Sequence, residues 1–272
     1  MELTFWGVRG TAPVCGKDQI KYGGHTPCAS IFSSKREIMI IDAGTGIMRL
    51  GDGLIKKMGK KPICVHLFLT HFHIDHIMGI PFFGPLYSRK TRIVFYSPLI
   101  PVKTKKLLSR LMESPFFPIS FEETKSEKKF IKVPSNSFHI GDVQISHIPL
   151  NHPQGSYAYR FRENGKSIVF ATDTEHPEKG MDLQLVFFAK GAHIFVYDST
   201  FTPNEYIQSK KGWGHSTWLE GTKIARQAEV RRLYLSHFNP SHLDKEIDDI
   251  INSARNKFSE TYGAKEGLTE EL

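Results

Sequence analysis

Cysteine is scarce in this chain, with three among 272 residues. Cys15, Cys28 and Cys64 are odd in number, lie far apart and form no C-x-x-C pair. This pattern argues against a disulfide framework and favours a reducing compartment, so we expect a cytoplasmic protein. Small buried side chains are the favoured interpretation of these cysteines, and metal ligation is the alternative.

Long apolar runs, an export signal and several catalytic motifs are also missing. No apolar run approaches the roughly 20 residues that span a bilayer, and residues 1–6 (MELTFW) are typical of a first strand, not of a signal peptide. We therefore expect no membrane partner. The sequence contains no G-x-x-x-x-G-K-[ST] loop, no H-E-x-x-H pair and no G-x-S-x-G elbow. These absences exclude P-loop nucleotide binding, that class of metalloprotease and the α/β-hydrolases.

The composition is that of an ordinary globular protein, with 40% hydrophobic and 12% aromatic residues. The formal net charge is +8. An excess of this size favours anionic partners, either phosphorylated small molecules or nucleic acid.

Short β-branched or aromatic runs recur along the chain, and each is followed by a polar residue of a type that binds metals. Runs of this length and composition predict buried strands. They are residues 38–41 before Asp42, 65–70 before His71, 143–150 before Asn151 and His152, 167–172 before Asp173, 194–197 before Asp198, and 233–236 before His237. Side chains delivered at strand ends in this way predict one shared site along one rim of the sheets.

Between these strands the pattern predicts helices over residues 77–83, 103–112, 217–228 and 244–258, the third of them capped near Ser216. Residues 101–132 are rich in lysine, contain P-F-F-P and follow no regular alternation. We interpret about 101–132 as a basic insertion or flap over the core. The sequence shows no internal repeat and no linker, so we expect one domain over residues 1–272.

Residues 70–76 (THFHIDH) contain the pattern H-x-H-x-D-H directly after a predicted strand. Neutral imidazole and carboxylate are the ligands that Zn²⁺, Mn²⁺ and Fe prefer. Alternating His71 and His73 can reach one metal, while adjacent Asp75 and His76 can reach a second. A coincidental polar loop is the alternative, but these four ligands seldom occur at this spacing by chance.

This pattern resembles the signature of the metallo-β-lactamase superfamily, and the resemblance continues in order along nearly the whole chain. It implies an α/β fold, the four-layer αββα metallo-β-lactamase sandwich, with two divalent metal ions, zinc first and Mn or Fe as alternatives. The implied ligands of the first metal are His71, His73, His152 and Asp173, and those of the second are Asp75, His76, Asp173 and His237. Asp173 would bridge both metals, and a water held between them would lose a proton near neutral pH and act as nucleophile.

Within the superfamily the chain looks like the branch of cyclic-nucleotide phosphodiesterases and RNase Z-like enzymes. The segments that carry this likeness are residues 5–10 (FWGVRG), 22–28 (YGGHTPC), 42–46 (DAGTG), 150–153 (LNHP), 157–160 (YAYR) and 213–217 (WGHST). In RNase Z-like enzymes a Gly-His-Ser-Thr element supplies a histidine that meets the scissile phosphate, and His215 is the matching residue. We therefore expect Asp75 and His215 to be catalytic, with a cap or packing role as the alternative for His215.

Five further residues are candidates for weaker reasons. Arg9 is either a phosphate contact or a structural arginine, and His25 is either a substrate contact or a surface substitution where the family more often has Asn. His242 is a candidate for contact with substrate or support of the site. Asp42 and Asp198 end their strands at the ligand rim, and a metal-bound imidazole usually donates its other N–H to such a carboxylate. The last two are therefore candidates to orient the ligands.

The resemblance and the charge together predict phosphodiester hydrolysis. The leading expectation is a small anionic substrate, a 3′,5′-cyclic nucleotide, cleaved by a homodimer. An RNase Z-like endoribonuclease acting on tRNA 3′ ends is the alternative, and RNA is then the partner. A protein that binds a nucleotide signal without turnover is a further alternative, although a pure binder has little use for seven metal ligands.

Overall fold

A computed structural model describes residues 1–59 and 61–272 of the chain. The chain forms two compact units, each assembled from separate stretches of the sequence. The first comprises Met1–Gly7, His25–Ser135 and Glu266–Glu271, and the second comprises Val8–Gly24 and Asn136–Lys265 together with Leu272. Each unit contains one seven-stranded mixed sheet and its own helices, which confirms the predicted α/β class.

The sheet of the first unit combines antiparallel and parallel strands. Its members are β1 (Glu2–Gly7), β2 (Cys28–Phe32), β3 (Ile38–Ile41), β4 (Ile63–Phe68), β5 (Thr91–Ser97), β6 (Glu127–Lys132) and β14 (Thr269–Glu271), in the order β14-β1-β2-β3-β4-β5-β6. Antiparallel pairs join β14, β1, β2 and β3, and parallel pairs join β3, β4, β5 and β6. Because β3 and β4 are parallel neighbours, their carboxyl ends lie at the same edge of the sheet.

Three helices belong to this unit: α1 (Ile47–Met58), α2 (Ile74–Ile77) and α3 (Pro101–Arg110). In α1, Ile47, Leu50 and Leu54 recur at helical spacing and are buried in the core of the unit. The predicted helix over residues 77–83 is wrong in position, because α2 ends at Ile77 and a separate 3₁₀ turn covers Ile80–Phe82. Pro81 in that turn has no N–H to continue an α-helix.

The prediction of a flap over residues 101–132 is wrong for its last part, while the helix within it is confirmed as α3. Strand β6 pairs in parallel with β5 from Arg92↔Glu127 to Ser97↔Lys132. Phe130 of β6 stacks on Phe95 of β5 with ring centroids 5.2 Å apart. The lysines of β6 disrupt the apolar–polar alternation that predicts a strand. They are typical of edge strands, where charge discourages pairing with another chain.

The second unit contains β7 (Phe138–Ile140), β8 (Val143–Leu150), β9 (Ser156–Glu163), β10 (Lys166–Ala171), β11 (Ile194–Asp198), β12 (Arg232–Ser236) and β13 (Thr261–Gly263). Their order is β13-β12-β11-β10-β9-β8-β7. Strands β7 to β10 pair antiparallel, and β10 to β13 pair in parallel. The carboxyl ends of β8, β10, β11 and β12 therefore share one edge of this sheet.

Four helices accompany this sheet: α4 (Leu183–Ala189), α5 (Pro203–Glu205), α6 (Trp218–Gln227) and α7 (Asp244–Arg255). The predicted helix over residues 244–258 is confirmed as α7, in which Ile247, Ile250 and Ile251 recur at helical spacing and are buried. The predicted cap of α6 is wrong by one residue: Thr217, not Ser216, accepts the Glu220 N–H at 3.4 Å.

Two features of the structure concern the expected compartment, namely membrane-spanning helices and the state of the cysteines. Within residues 1–59 and 61–272, no helix combines the length and the hydropathy needed to cross a membrane. All three cysteines are free, with Cys15 exposed, Cys28 buried and Cys64 between these extremes.

Candidate metal centre

The first unit presents four candidate ligands just beyond the end of β4. His71, Asp75 and His76 are buried, and His73 is partly exposed at the N-terminus of α2. The ring centroid of His71 lies 4.5 Å from that of His73 and 4.3 Å from that of His76. Asp75 Oδ2 lies 3.4 Å from His76 Nε2. The short helix α2 thus turns the second half of the motif back beside the first half.

Asp42, at the end of β3, organises this group. Its carboxylate accepts the Thr70 N–H at 2.8 Å, the Thr70 hydroxyl at 2.9 Å and the His76 Nδ1–H at 2.8 Å. Because Thr70 gives its hydroxyl hydrogen to Asp42, its oxygen can accept from His71 Nδ1 at 3.0 Å. Both imidazoles therefore carry a proton on Nδ1, which leaves the lone pair on Nε2 for a metal.

The second unit brings together residues from the ends of four strands. His152 follows β8, Asp173 follows β10, Asp198 ends β11 and His237 follows β12. His237 Nε2 lies 3.3 Å from Asp173 Oδ1. One donor atom each from Asp173, Asp198, His215 and His237 falls within a group in which no separation exceeds 4.8 Å. Asp173 and His237, which are 64 residues apart in the sequence, lie close together because the parallel strands β10 and β12 end at the same edge of the sheet.

The two candidate histidine ligands of this unit, His152 and His237, are oriented in the same way as those of the first. His152 Nδ1 donates to the Gly214 carbonyl at 2.7 Å, and His237 Nδ1 lies 2.9 Å from the Thr200 hydroxyl. The imidazole of His237 also lies against Gly10, where a Cβ would overlap the ring. In both histidines Nε2 is again the nitrogen that keeps its lone pair.

His215 and Asp198 form a pair beside these ligands. His215 Nδ1 lies 3.0 Å from Asp198 Oδ2, and its ring stacks on that of His237 with centroids 5.0 Å apart. Asp198 also accepts main-chain N–H groups from Asp173, Thr200 and Ser216. Burial opposes the charge of Asp198, but His215 and His237 outweigh it and lower the pKa of the carboxyl below its ordinary value. Asp198 is thus an anion that orients His215.

Ser216 does not cap α6 and has a different role. Its hydroxyl oxygen lies 2.8 Å from the Tyr197 hydroxyl and 2.9 Å from His176 Nδ1. These two contacts hold Ser216, the residue that follows His215 in the chain, in place. The direct bond from His215 Nδ1 to Asp198, and not a cap at Ser216, is therefore the observation that bears on the role of His215.

Arg9 and His242, two of the weaker candidates, lie in the second unit. Arg9 is fully buried and donates to the carbonyls of Gly23, Asn239 and His242, which favours the structural alternative for this residue. His242 is buried as well, with Nε2 3.0 Å from Glu205. Both side chains hold loops of the second unit in place.

His25 lies in the first unit and is partly buried. Its Nδ1 is 3.1 Å from the Thr45 hydroxyl, and its main-chain N–H donates to Glu266 at 2.6 Å. Neither contact decides between a substrate contact and a surface substitution.

Sequence analysis missed the neutral groups that orient the ligands. Thr70 and Thr200 lie one residue before His71 and two residues after Asp198, so a search for hydroxyls beside the predicted ligands could have found them. The Gly214 carbonyl carries no side-chain signal and could not have been found in that way.

The donor set fits a divalent metal of the zinc type. It consists of imidazoles and buried carboxylates, and in His71, His76, His152 and His237 a partner at Nδ1 leaves Nε2 as the basic nitrogen. The structure therefore has His and Asp clusters that can hold a metal ion.

Comparison with known proteins agrees with this chemistry. A family model described as a β-lactamase superfamily domain matches residues 39–238. Ribonuclease Z of Thermoplasma acidophilum is 25% identical over 279 residues, covering 85% of this chain and 88% of that relative. The metallo-β-lactamase fold protein YhfI from Bacillus subtilis superposes with a TM-score of 0.73 at 19% identity, covering 99% of both chains. Human tRNase Z, short form, gives a TM-score of 0.65 at 20% identity, covering 100% of this chain and 99% of that chain.

These similarities confirm the predicted fold, the α/β metallo-β-lactamase sandwich, and the predicted reaction class of metal-dependent hydrolysis. The family match spans most of the chain and includes the motif after β4 and the ligands of the second unit. The chain therefore belongs to the β-lactamase superfamily as one of its metal-dependent hydrolases.

Proposed function

We propose that this protein is an endoribonuclease of the RNase Z type, which hydrolyses a phosphodiester bond at the 3′ end of tRNA. The curated relatives carry the name ribonuclease Z, and this supports the RNA alternative over the leading expectation of a cyclic-nucleotide substrate. The net charge of +8 also suits a polyanionic partner.

The proposed metal ligands are the seven that the superfamily signature implies. They are His71, His73, Asp75, His76, His152, Asp173 and His237, and we propose that they bind two divalent ions, with zinc favoured over Mn and Fe. Ions held there would supply Lewis acidity at the phosphoryl oxygens and activate water for attack. The residues of the chain then have to orient the ligands, position the phosphate and move a proton.

The observation that carries this proposal is the pair formed by His215 and Asp198. Since His215 Nδ1 donates to the Asp198 carboxylate, Nε2 is the nitrogen that can hold a proton for the leaving oxygen. The anionic Asp198 stabilises the protonated ring and fixes its orientation, as a carboxylate does behind a catalytic histidine. A pure binding protein has no need of such a pair.

Two finer expectations accompany the proposal. A homodimer is expected from the resemblance, and light scattering of the purified protein measures it directly. A cytoplasmic location follows from the predicted reducing compartment, and fractionation of cells that express a tagged chain tests it.

The test is a turnover assay of metal-loaded protein on a precursor tRNA with a 3′ extension, beside cyclic AMP, GMP, CMP and UMP. Protein stripped of metal with a chelator is the control for metal dependence. Cleavage at the tRNA 3′ end, lost on stripping and restored by zinc, supports the proposal. Hydrolysis of a cyclic nucleotide with the tRNA intact contradicts it and returns the substrate to the original expectation.

A further inference from the structure

Trp213 is exposed although its loop is held firmly. The side chain keeps 56% of its surface accessible. The carboxylate of Glu175 accepts the N–H groups of both neighbours, Gly212 at 2.6 Å and Gly214 at 2.9 Å. Tyr206 donates its hydroxyl to the same carboxylate at 2.7 Å. Glu175 thus fixes the main chain on either side of a large, solvent-facing aromatic ring.

The ring itself is also held in a defined orientation. The ammonium of Lys210 lies 3.9 Å from the ring centroid of Trp213, a close cation–π contact. Phe201, which is buried, meets Trp213 edge-on at 6.5 Å between centroids. With Lys210 over the ring and Phe201 in edge contact, the ring has a defined orientation, and its exposed area is available for a planar group.

This aromatic surface lies beside the proposed catalytic histidine. Phe201 also packs edge-on against His215, with centroids 5.9 Å apart, and only Gly214 separates Trp213 from His215 in the chain. A positive charge and an exposed aromatic ring are the two features with which proteins hold unpaired nucleotides, by attraction to phosphate and by stacking on the base.

We propose that Trp213, with Lys210 behind it, stacks an unpaired nucleobase next to the phosphate that His215 meets. The inference rests on the proposed phosphodiesterase function and adds a residue that selects substrates with a base at this position. The base can belong to an RNA strand or to a mononucleotide. Glu175 is a positioning residue, because it acts only through the loop.

The binding experiment uses a short fluorescent RNA without secondary structure, measured by anisotropy in the His215→Ala background so that turnover is suppressed. Trp213→Ala should weaken binding about 5- to 150-fold, the range for the loss of one stacked base. Trp213→Phe should restore most of the affinity because it keeps a flat ring, whereas Trp213→Leu, which keeps bulk, should not. Phe187→Ala is the matched control, since it removes another exposed aromatic ring from the same unit.

Two comparisons identify the ligand chemistry. An RNA of equal length with abasic sites should bind wild-type and Trp213→Ala protein equally, because it has no base to stack. If cyclic AMP quenches the fluorescence of Trp213 and RNA does not, the stacked base belongs to a mononucleotide. If RNA quenches it and cyclic AMP does not, the base belongs to RNA. In the His215-intact protein, Trp213→Ala should raise KM more than it lowers kcat.

The inference is overturned if Trp213→Ala binds the base-containing RNA as tightly as wild type, or if Trp213→Leu restores binding. Failure of the proposed function gives a different result: no RNA is cleaved, yet binding still depends on Trp213. RNA cleavage with Trp213-independent binding leaves the function standing and removes only the stacking role.

Discussion

Replacement of Asp42 by asparagine changes one oxygen to an NH₂ group at the centre of the first ligand cluster. Asp42 is buried, and its two oxygens accept from the Thr70 N–H, the Thr70 hydroxyl and His76 Nδ1. The Thr70 N–H belongs to the main chain and cannot turn away, so it keeps the amide oxygen opposite it. The NH₂ group must then face His76.

Two N–H donors cannot satisfy each other, so His76 has to change its tautomer. With the proton moved to Nε2, Nδ1 can accept from the new amide, but Nε2 no longer offers its lone pair to a metal. Loss of a partner that orients a metal-bound histidine costs about 10- to 100-fold in metal affinity. That range corresponds to roughly 1.4–2.8 kcal/mol of binding free energy.

The assay is zinc competition against a chromogenic chelator, combined with long-range ¹⁵N–¹H spectra that distinguish the two histidine tautomers. Asp52→Asn is the matched control, because Asp52 is exposed on α1 and undergoes the same chemical change. The metal-free Asp42→Asn protein should also lose about 1–3 kcal/mol of unfolding free energy, because the hydrogen bonds of the charged carboxylate are replaced by weaker bonds of a neutral amide.

If Asp42→Asn binds zinc as tightly as the wild type and His76 keeps its proton on Nδ1, the prediction is wrong, because the carboxylate then does not set the tautomer. A loss of stability without any change in zinc affinity would assign Asp42 a structural role only.

Three further predictions test other parts of the two clusters, and a fourth tests helix α1. His215→Ala should keep its metal content, measured by mass spectrometry, but lose about 10²- to 10⁴-fold in turnover, the usual contribution of a positioned acid–base group. Asp173→Asn should lose both metal and turnover, and near-normal zinc content in that variant would remove Asp173 from the ligand set. Gly10→Ala should lower metal affinity, since its Cβ would overlap the ring of His237, and an unchanged affinity would show that the ring can move without cost. Gly53→Ala, in α1 with open space around the new methyl group, should instead raise the free energy of unfolding in urea by about 1 kcal/mol.

Much of the fold could be predicted because its strands are short, buried and bounded by polar residues. All six predicted runs coincide with strands, from β3 at Ile38–Ile41 to β12 at Arg232–Ser236. The edge strand β6 was missed because its sequence, EKKFIK, has the charge of a solvent-exposed edge and no alternation to reveal it.

The candidate ligands and the candidate orienting carboxylates Asp42 and Asp198 could be named from the sequence, whereas a main-chain carbonyl that orients a ligand could not. Ligand types at fixed spacing leave a signal in the sequence, as in residues 70–76. The bond from His152 to the Gly214 carbonyl leaves none, because any residue supplies a carbonyl and the partners are 62 residues apart. For Arg9 the sequence left a phosphate contact and a structural role open, and its burial among main-chain carbonyls favours the structural role.

Three residues of these clusters, Asp42, Asp173 and His237, share a backbone feature that affects how they should be mutated. Each follows its strand with a positive φ, of 57°, 58° and 60° respectively. A non-glycine residue in this region costs on the order of 1–3 kcal/mol, and such residues concentrate at functional sites. Glycine would relieve the strain but remove the ligand. Because asparagine tolerates positive φ better than alanine does, Asp→Asn changes the charge and hydrogen bonding of the side chain but leaves the backbone unstrained, whereas Asp→Ala also adds backbone strain. A loss of metal in Asp173→Asn can therefore be attributed to the carboxylate, and the same loss in Asp173→Ala could not.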